Sequence, residues 1–368
     1  MNAIRTHRGG DPRALSRLRS WGALMGALVI GLAAVADGDE RGGPASRISG
    51  SAEASEYWDL TADLDSGHRL FARFAITHLG PGDNTAYLIG HVVTPEGLSI
   101  PFRKGALEGR WTPGPAGRFI GIGSSQLDQR QPLRRLRIDR AGIVIDLLYR
   151  PDPHGEFREI PGPPGYFVDS LHDRAPAQGT LQLPGMDVPL DVQGTIAATH
   201  TWMDRGEATH ALRRLEVFSL EPAMILHLTE VTEPGGNRYH SLLLEHEGQE
   251  LVKSQDFTLV ERGKKDAGYG TPYGVPTRLT LSGPDWEGEV TLEQVLAKDD
   301  LLAIMPQPFR FLMSFSMKPR RFWLAARFEF RFKPRPDDRE HSLSGRGIVS
   351  VVFTNPLPPE PNAGANKP

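Results

Sequence analysis

The stretch "ATHTWMDR" (198–205) sets a histidine, a tryptophan and an acid at alternate positions, His200, Trp202 and Asp204. In an extended chain successive side chains point to opposite faces, so these three would share one face of a sheet. An imidazole can carry a proton, an indole face can stabilise a cation, and a carboxyl can donate a proton or hold the imidazole. A second candidate group opens the first strand-like segment, "EYWDLTADL" (56–64), where Glu56 and Asp59 flank Tyr57 and Trp58. Further carboxylates and histidines are scattered, with His227 and Glu230 on "MILHLTEV" (224–231) the nearest to a second reactive strand.

Other chemistries are not represented. The chain has no cysteine, which excludes disulfides, thiol nucleophiles and cysteine-ligated zinc. No two histidines have the close spacing of a metal site, so no metal is expected. The glycine-rich runs "GIG" (121–123) and "GYGTPYG" (268–274) do not lead from a strand into a helix, and neither reads as a phosphate-binding loop; no cofactor is expected. A formal net charge of −3 over 368 residues gives no basic face for nucleic acid.

The elements that must position these residues are strands. From Glu56 to Asn355 the apolar period is two. "RFWLAARFEFRF" (321–332) is the clearest case: Phe322, Leu324, Ala326, Phe328, Phe330 and Phe332 fall on one face, with Arg321, Trp323, Ala325, Arg327, Glu329 and Arg331 on the other. Similar segments recur, separated by turn sequences such as Asp65-Ser66-Gly67, Pro81-Gly82-Asp83 and Pro95-Glu96-Gly97. Close to twenty short strands suit two antiparallel barrels, with one short helix expected near 296–303. The Pro-rich "PDPHGEFREIPGPPGY" (151–166) reads as a long loop.

Ahead of this body, Arg13, Arg17 and Arg19 precede the uncharged run "WGALMGALVIGLAAVA" (21–36), which ends in Ala-Val-Ala. Its length suits a secretory leader cut after Ala36 and is short for a membrane span. The protein is therefore expected to be periplasmic or secreted, with no membrane span after cleavage; an uncleaved N-terminal membrane anchor is the alternative. The expected organisation is a leader over 1–36, a polar linker over 37–55, β domains over 56–205 and 206–355, and a Pro-rich tail over 356–368.

Three segments carry a family resemblance: "EYWDLTADLDSGHRLFARFAITHLG" (56–80), the region 165–205 ending in "THTWMDR", and "HSLSGRGIVSVVFTNP" (341–356). Together they resemble the hydroxyneurosporene synthase (carotenoid 1,2-hydratase) and AttH-like lipocalin-like proteins. That resemblance implies an all-β fold of two lipocalin-like antiparallel β-barrel domains in tandem with little helix, and an isoprenoid-type or lipid-like partner. It also implies a catalytic region at the His-x-Trp pair, matched here by His200 and Trp202. The family's partner pair, an aromatic and an acid on a nearby strand, is not matched: His227 and Thr229 stand there. Two readings follow. In the first, the chain binds an apolar small molecule or lipid, with Tyr57, Trp58, His200, Trp202 and His227 as wall or anchor. In the second it is a hydratase, cyclase or isomerase acting by acid catalysis, with His200 relaying a proton, Trp202 stabilising a cation and Asp204 or Glu230 as the acid. Alkene protonation needs a strong acid, which threonine does not supply, and this favours the first reading.

Overall fold

The computed structural model describes residues 54–78, 84–114, 117–130, 132–151, 158–305, 307–332 and 341–357. The leader and most of the linker, the Pro81-Gly82-Asp83 turn, part of the Pro-rich loop and most of the tail lie outside them.

Period-two patterning produces two antiparallel sheets. The first holds β1 (Ser55–Leu64), β2 (Arg69–Thr77), β3 (Thr85–Val93), β4 (Ser99–Ala106), β5 (Thr112–Pro113), β6 (Phe119–Ile122), β7 (Ser125–Asp128), β8 (Arg134–Arg140), β9 (Ile143–Tyr149), β10 (Arg158–Ile160), β11 (Tyr166–Gln182) and β12 (Leu190–Met203). Its order is β4-β3-β2-β1-β12-β11-β9-β8-β7-β6-β5, with β10 paired to β11. It curls until β4 lies against β6 and β8, where Arg140 Nε donates to the Arg103 carbonyl at 3.1 Å. After the one-turn helix α1 (Glu207–His210) comes the second sheet: β13 (Arg213–Ser219), β14 (Met224–Thr232), β15 (Arg238–His246), β16 (Gln249–Ser254), β17 (Thr258–Asp266), β18 (Gly274–Ser282) and β19 (Trp286–Asp300), then helix α2 (Gln307–Ser316), β20 (Arg320–Phe332) and β21 (His341–Phe353). Its order is β16-β15-β14-β13-β21-β20-β19-β18-β17. The molecule is thus all-β, with two curled lipocalin-like barrels in tandem.

The turns are chemically apt. Gly67 and Gly97 take the left-handed conformation, at φ +79° and +85°, that closes their hairpins without a Cβ penalty. The helix expected near 296–303 is displaced. β19 runs on to Asp300 through irregular pairing between Leu292 and Ala297, because its far end adds to β20 as a ladder. A 3-10 turn follows at Leu301–Ile304, capped by the Asp300 carboxylate accepting from the Leu302 N–H, and α2 comes after it. Within the Pro-rich loop, Arg158–Ile160 pairs with β11 as a short edge strand.

Alternation also builds the seam between barrels. On β20, Phe322, Leu324, Ala326, Phe328 and Phe330 fill the second barrel, while Arg321 and Trp323 are buried on the opposite face. That face meets the first barrel. Trp323 stacks on Phe71 of β2 at 5.0 Å, within an apolar group that includes Val93, Leu296 and Ile348. Beside it, Asp59 of β1 accepts from Arg73 Nε and Nη2, both at 2.7 Å, and from Arg321 Nη1. Burial alone would raise the Asp59 carboxyl, but Arg321 and Arg73 outweigh it and hold it far below the ordinary carboxylate range. His91 Nε2 meets Asp299 Oδ1 across the same seam at 2.8 Å.

Candidate functional site

His200 and Trp202 lie on β12 with their side chains toward the interior of the first barrel. The register sets Trp58 opposite His200 and Glu56 opposite Trp202. The Trp58 and His200 rings stack at 4.7 Å and 6°, and Trp202 sits 5.0 Å from His200 and 5.3 Å from Phe167. His200 Nε2 is 2.6 Å from Glu56 Oε1, and both side chains are fully buried. The strand ends at Met203, so Asp204 leaves the row, stands half-exposed and meets His210 Nε2 at 3.0 Å. Glu230 is in the interior of the second barrel, bound to Arg213 Nη2 at 2.6 Å and to Arg238 Nε at 2.8 Å. Glu261 of β17 closes that cluster, so it ties β13, β14 and β15 to the far edge of the sheet.

His227 is on the outer face of β14 and reaches across the seam to Asp173 of β11. Asp173 also accepts from Ser170 Oγ at 2.6 Å and Arg158 Nη2 at 3.3 Å. Against the effect of burial, His227 and then Arg158 and Ser170 hold the Asp173 carboxyl well below its ordinary range. Among the described residues no three or more His, Asp or Glu side chains gather as a metal site. The residues singled out in the sequence therefore fall into separate groups: His200, Trp202 and Trp58 together, with Asp204, Glu230 and His227 each elsewhere.

Tyr57 has a different setting from its neighbour Trp58. Alternation on β1 turns Trp58 into the barrel and Tyr57 out into the seam, where a cavity of about 290 Å³ opens between the barrels. Its walls are mainly apolar: Ala106 and Leu107 from the end of β4, Leu301, Leu302 and Ile304 from the 3-10 turn, and Met313 and Met317 from α2 and beyond. Tyr57, Arg73 and Glu207 form its charged and most tightly bonded floor, and the hydroxyl side chains of Ser55, Thr77, Thr85 and Tyr87 line it as well. None of His200, Trp202, Asp204, Glu230 or His227 lines it.

The floor is tightly organised. The Tyr57 hydroxyl donates to Glu207 Oε1 at 2.6 Å, lies 3.0 Å from the Tyr166 hydroxyl, and accepts from Arg214 Nη1 at 3.2 Å. The Arg73 guanidinium lies 3.7 Å over the Tyr57 ring, fixed from behind by Asp59. Burial pushes the Tyr57 phenol up, and the neighbouring Glu207 carboxylate pushes it further; Tyr166 is raised in the same way, by burial above all. Both hydroxyls therefore keep their protons at neutral pH. Glu207 follows β12 by only four residues and is held at the start of α1. A one-turn helix leaves no periodic signal in a sequence, so Glu207 is not among the expected site residues; an acid just past the strand that carries the His-x-Trp pair is the available clue.

No family model matches the chain, and no curated protein matches it in sequence. Solved structures share its fold. An AttH-like protein from Nitrosomonas europaea superposes with a TM-score of 0.59 at 14% identity, over 82% of this chain and 93% of that one. CghA, solved with Sch210972, gives 0.59 at 12% identity, over 83% and 89%. Kievitone hydratase from Nectria haematococca gives 0.54 at 12%, over 85% and 95%. At these identities the likeness is one of fold: two lipocalin-like barrels spanning nearly the whole of each relative.

Proposed function

We propose that this chain binds a mainly apolar small molecule, of isoprenoid or lipid-like character, in the cavity between its barrels, with an oxygen function turned toward Tyr57 and Arg73. The observation that carries this reading is the one-sided lining. Methionine, leucine and isoleucine side chains from the 3-10 turn and the α2 side form apolar walls, while the polar lining, Tyr57, Arg73 and Glu207 with Ser55, Thr77, Thr85 and Tyr87, comes from β1, β2, β3 and α1, with Arg73 held by Asp59 and Tyr57 by Glu207 and Arg214. Ligand sites commonly combine an apolar body with a few placed polar groups in this way. Methionines on the α2 side add a wall that adapts to ligands of irregular shape. The uncharged run 21–36, preceded by arginines, supports export across a membrane, as a cleaved leader or an uncleaved anchor; N-terminal sequencing of the mature protein that returned Met1 would rule out cleavage after Ala36.

A second reading draws on the same floor. Tyr57, hydrogen-bonded to Glu207 at 2.6 Å, is a protonated phenol backed by a carboxylate, a pair that can pass a proton to or from a bound oxygen or carbon. Among the solved structures of like fold is a hydratase, which makes proton-transfer chemistry worth testing here. In this reading Glu207 takes the phenol's proton as Tyr57 takes one from the bound group, a base relay in place of the strong acid expected at Asp204 or Glu230. The test is calorimetric titration with β-ionone, a cyclic isoprenoid ketone. Saturable binding, weakened by Tyr57→Phe, supports the proposal; no heat from the native protein, or equal binding by the variant, would sink it.

A further inference from the structure

We infer that helix α2 seats the protein on the surface of an anionic lipid bilayer, its exposed aromatic side entering the headgroup region while its other side walls the cavity. For the delivery of an apolar ligand this rests on the reading of the cavity above; for the surface itself it does not. The sequence of α2 is "QPFRFLMSFS". Met313 faces the cavity, whereas Phe311, Leu312 and Phe315 are 61%, 63% and 75% exposed, and Phe309 is 38% exposed. Residues 311, 312 and 315 fall on one helix face by the i, i+1, i+4 spacing. Phe311 and Phe315 pack edge to face at 4.9 Å and 85°, so the exposed pair is held in one arrangement. Four of the eleven large exposed hydrophobic side chains among the described residues sit in this ten-residue helix, where scattered single exposure would need no explanation.

Charge identifies the occupant. Arg310, Lys318 and Arg320 lie on or just after the helix, whereas Arg321 is buried on Asp59 and Arg327 pairs with Glu293, and no acid lies between Leu301 and Phe328. Arg310 and Arg320 both rest on the single carboxylate of Asp300, so the helix and its flank keep an excess of positive charge. An aromatic and aliphatic face bordered by cations is the pattern of a helix lying in the plane of an anionic membrane surface. At ten residues, α2 spans about 15 Å, half of what crossing a bilayer requires. Leu107, 44% exposed and also part of the cavity wall, extends the apolar surface from the cavity mouth.

The absence of cysteine allows a site-specific test on the full chain. Leu312→Cys and, as a control in the β11–β12 turn, Val188→Cys (71% exposed in the native protein) each take one environment-sensitive bimane label. With phosphatidylcholine–phosphatidylglycerol vesicles, the label at 312 should shift to the blue and be quenched by spin-labelled lipid, with no change at 188. A silent label at 312 would overturn the inference. So would equal responses at both positions, which mark adsorption by another part of the chain, or a blue shift at 312 that grows with protein concentration without vesicles, which marks a second copy on this face. Phe311→Ser and Phe315→Ser should each weaken vesicle partitioning about tenfold. β-Ionone titration without vesicles separates the two ideas: vesicle binding without ketone binding leaves the surface standing and the cavity reading failed, and ketone binding with a silent label does the reverse.

Discussion

Replacing Asp59 by alanine removes the single carboxylate on which Arg73 and Arg321 converge across the seam, with Arg214 Nη1 a further 3.9 Å from Oδ2. All three guanidiniums are at most 2% exposed, so water cannot replace the lost partner. Breaking a buried pair from one side costs about 3–5 kcal/mol, and here two guanidiniums lose their shared acceptor while their mutual repulsion stays. A urea slope of roughly 2–3 kcal/mol per M turns about 4 kcal/mol into a midpoint lowered by about 1.3–2 M. Urea unfolding followed by tryptophan fluorescence reads this directly, since Trp323 lies in the same seam with the Arg321 guanidinium 4.3 Å from its ring. Asp59→Asn, which keeps one acceptor oxygen and the shape, should lose less than alanine. A midpoint within 0.3 M (~1 kcal/mol or less) of native for Asp59→Ala would refute the view that this carboxylate locks the barrels together.

His172 is buried beside Arg134, and burial first, then that positive charge, lower its pKa from 6.5 to about 3. It stays neutral when folded and takes up a proton near 6.5 when unfolded, so its contribution is full above pH 6.5 and falls toward pH 3 at up to about 1.4 kcal/mol per pH unit; denaturant titrations from pH 7 to 5 should show a shallower slope for His172→Gln, and equal slopes would count against it. His200→Ala removes the 2.6 Å partner of the buried Glu56 and should cost about 3 kcal/mol or more in thermal unfolding while the folded fraction still binds β-ionone normally; a stable variant that had lost binding would move the site into the first barrel. Gly90→Ala would set its Cβ 2.0 Å from the Phe71 carbonyl and 2.6 Å from the Phe102 ring, so a loss at the upper end of about 1–3 kcal/mol is expected, and a neutral result would contradict the β2-β3-β4 packing.

How much of this was legible in the sequence depended on the range of each interaction. The alternation in "RFWLAARFEFRF" separates Phe322, Leu324 and Phe328, which fill a barrel, from Arg321 and Trp323, and that local pattern was readable without any partner. What Arg321 does was not, because its acceptor Asp59 lies 262 residues away. The His200–Glu56 pair spans 144 residues and the Tyr57–Glu207 pair 150, distances over which no spacing rule operates. Tyr57 and Trp58 were grouped as neighbours in sequence; a strand sends them to opposite faces, one into a packed interior and one into the cavity. The displaced helix has a similar origin: the apolar run around Leu296 served a ladder with β20, and tertiary pairing outweighed local pattern.

Entry of a ligand into the cavity between the barrels, as proposed, can be blocked from within. Gly105 offers the most direct check, because a Cβ there would meet only Ile304, at 3.7–3.8 Å, so a larger side chain can extend into the cavity without displacing backbone. Calorimetric titration of Gly105→Phe with β-ionone should give no saturable binding while circular dichroism and thermal unfolding match the native protein. Native-like affinity in a folded Gly105→Phe variant would contradict the account.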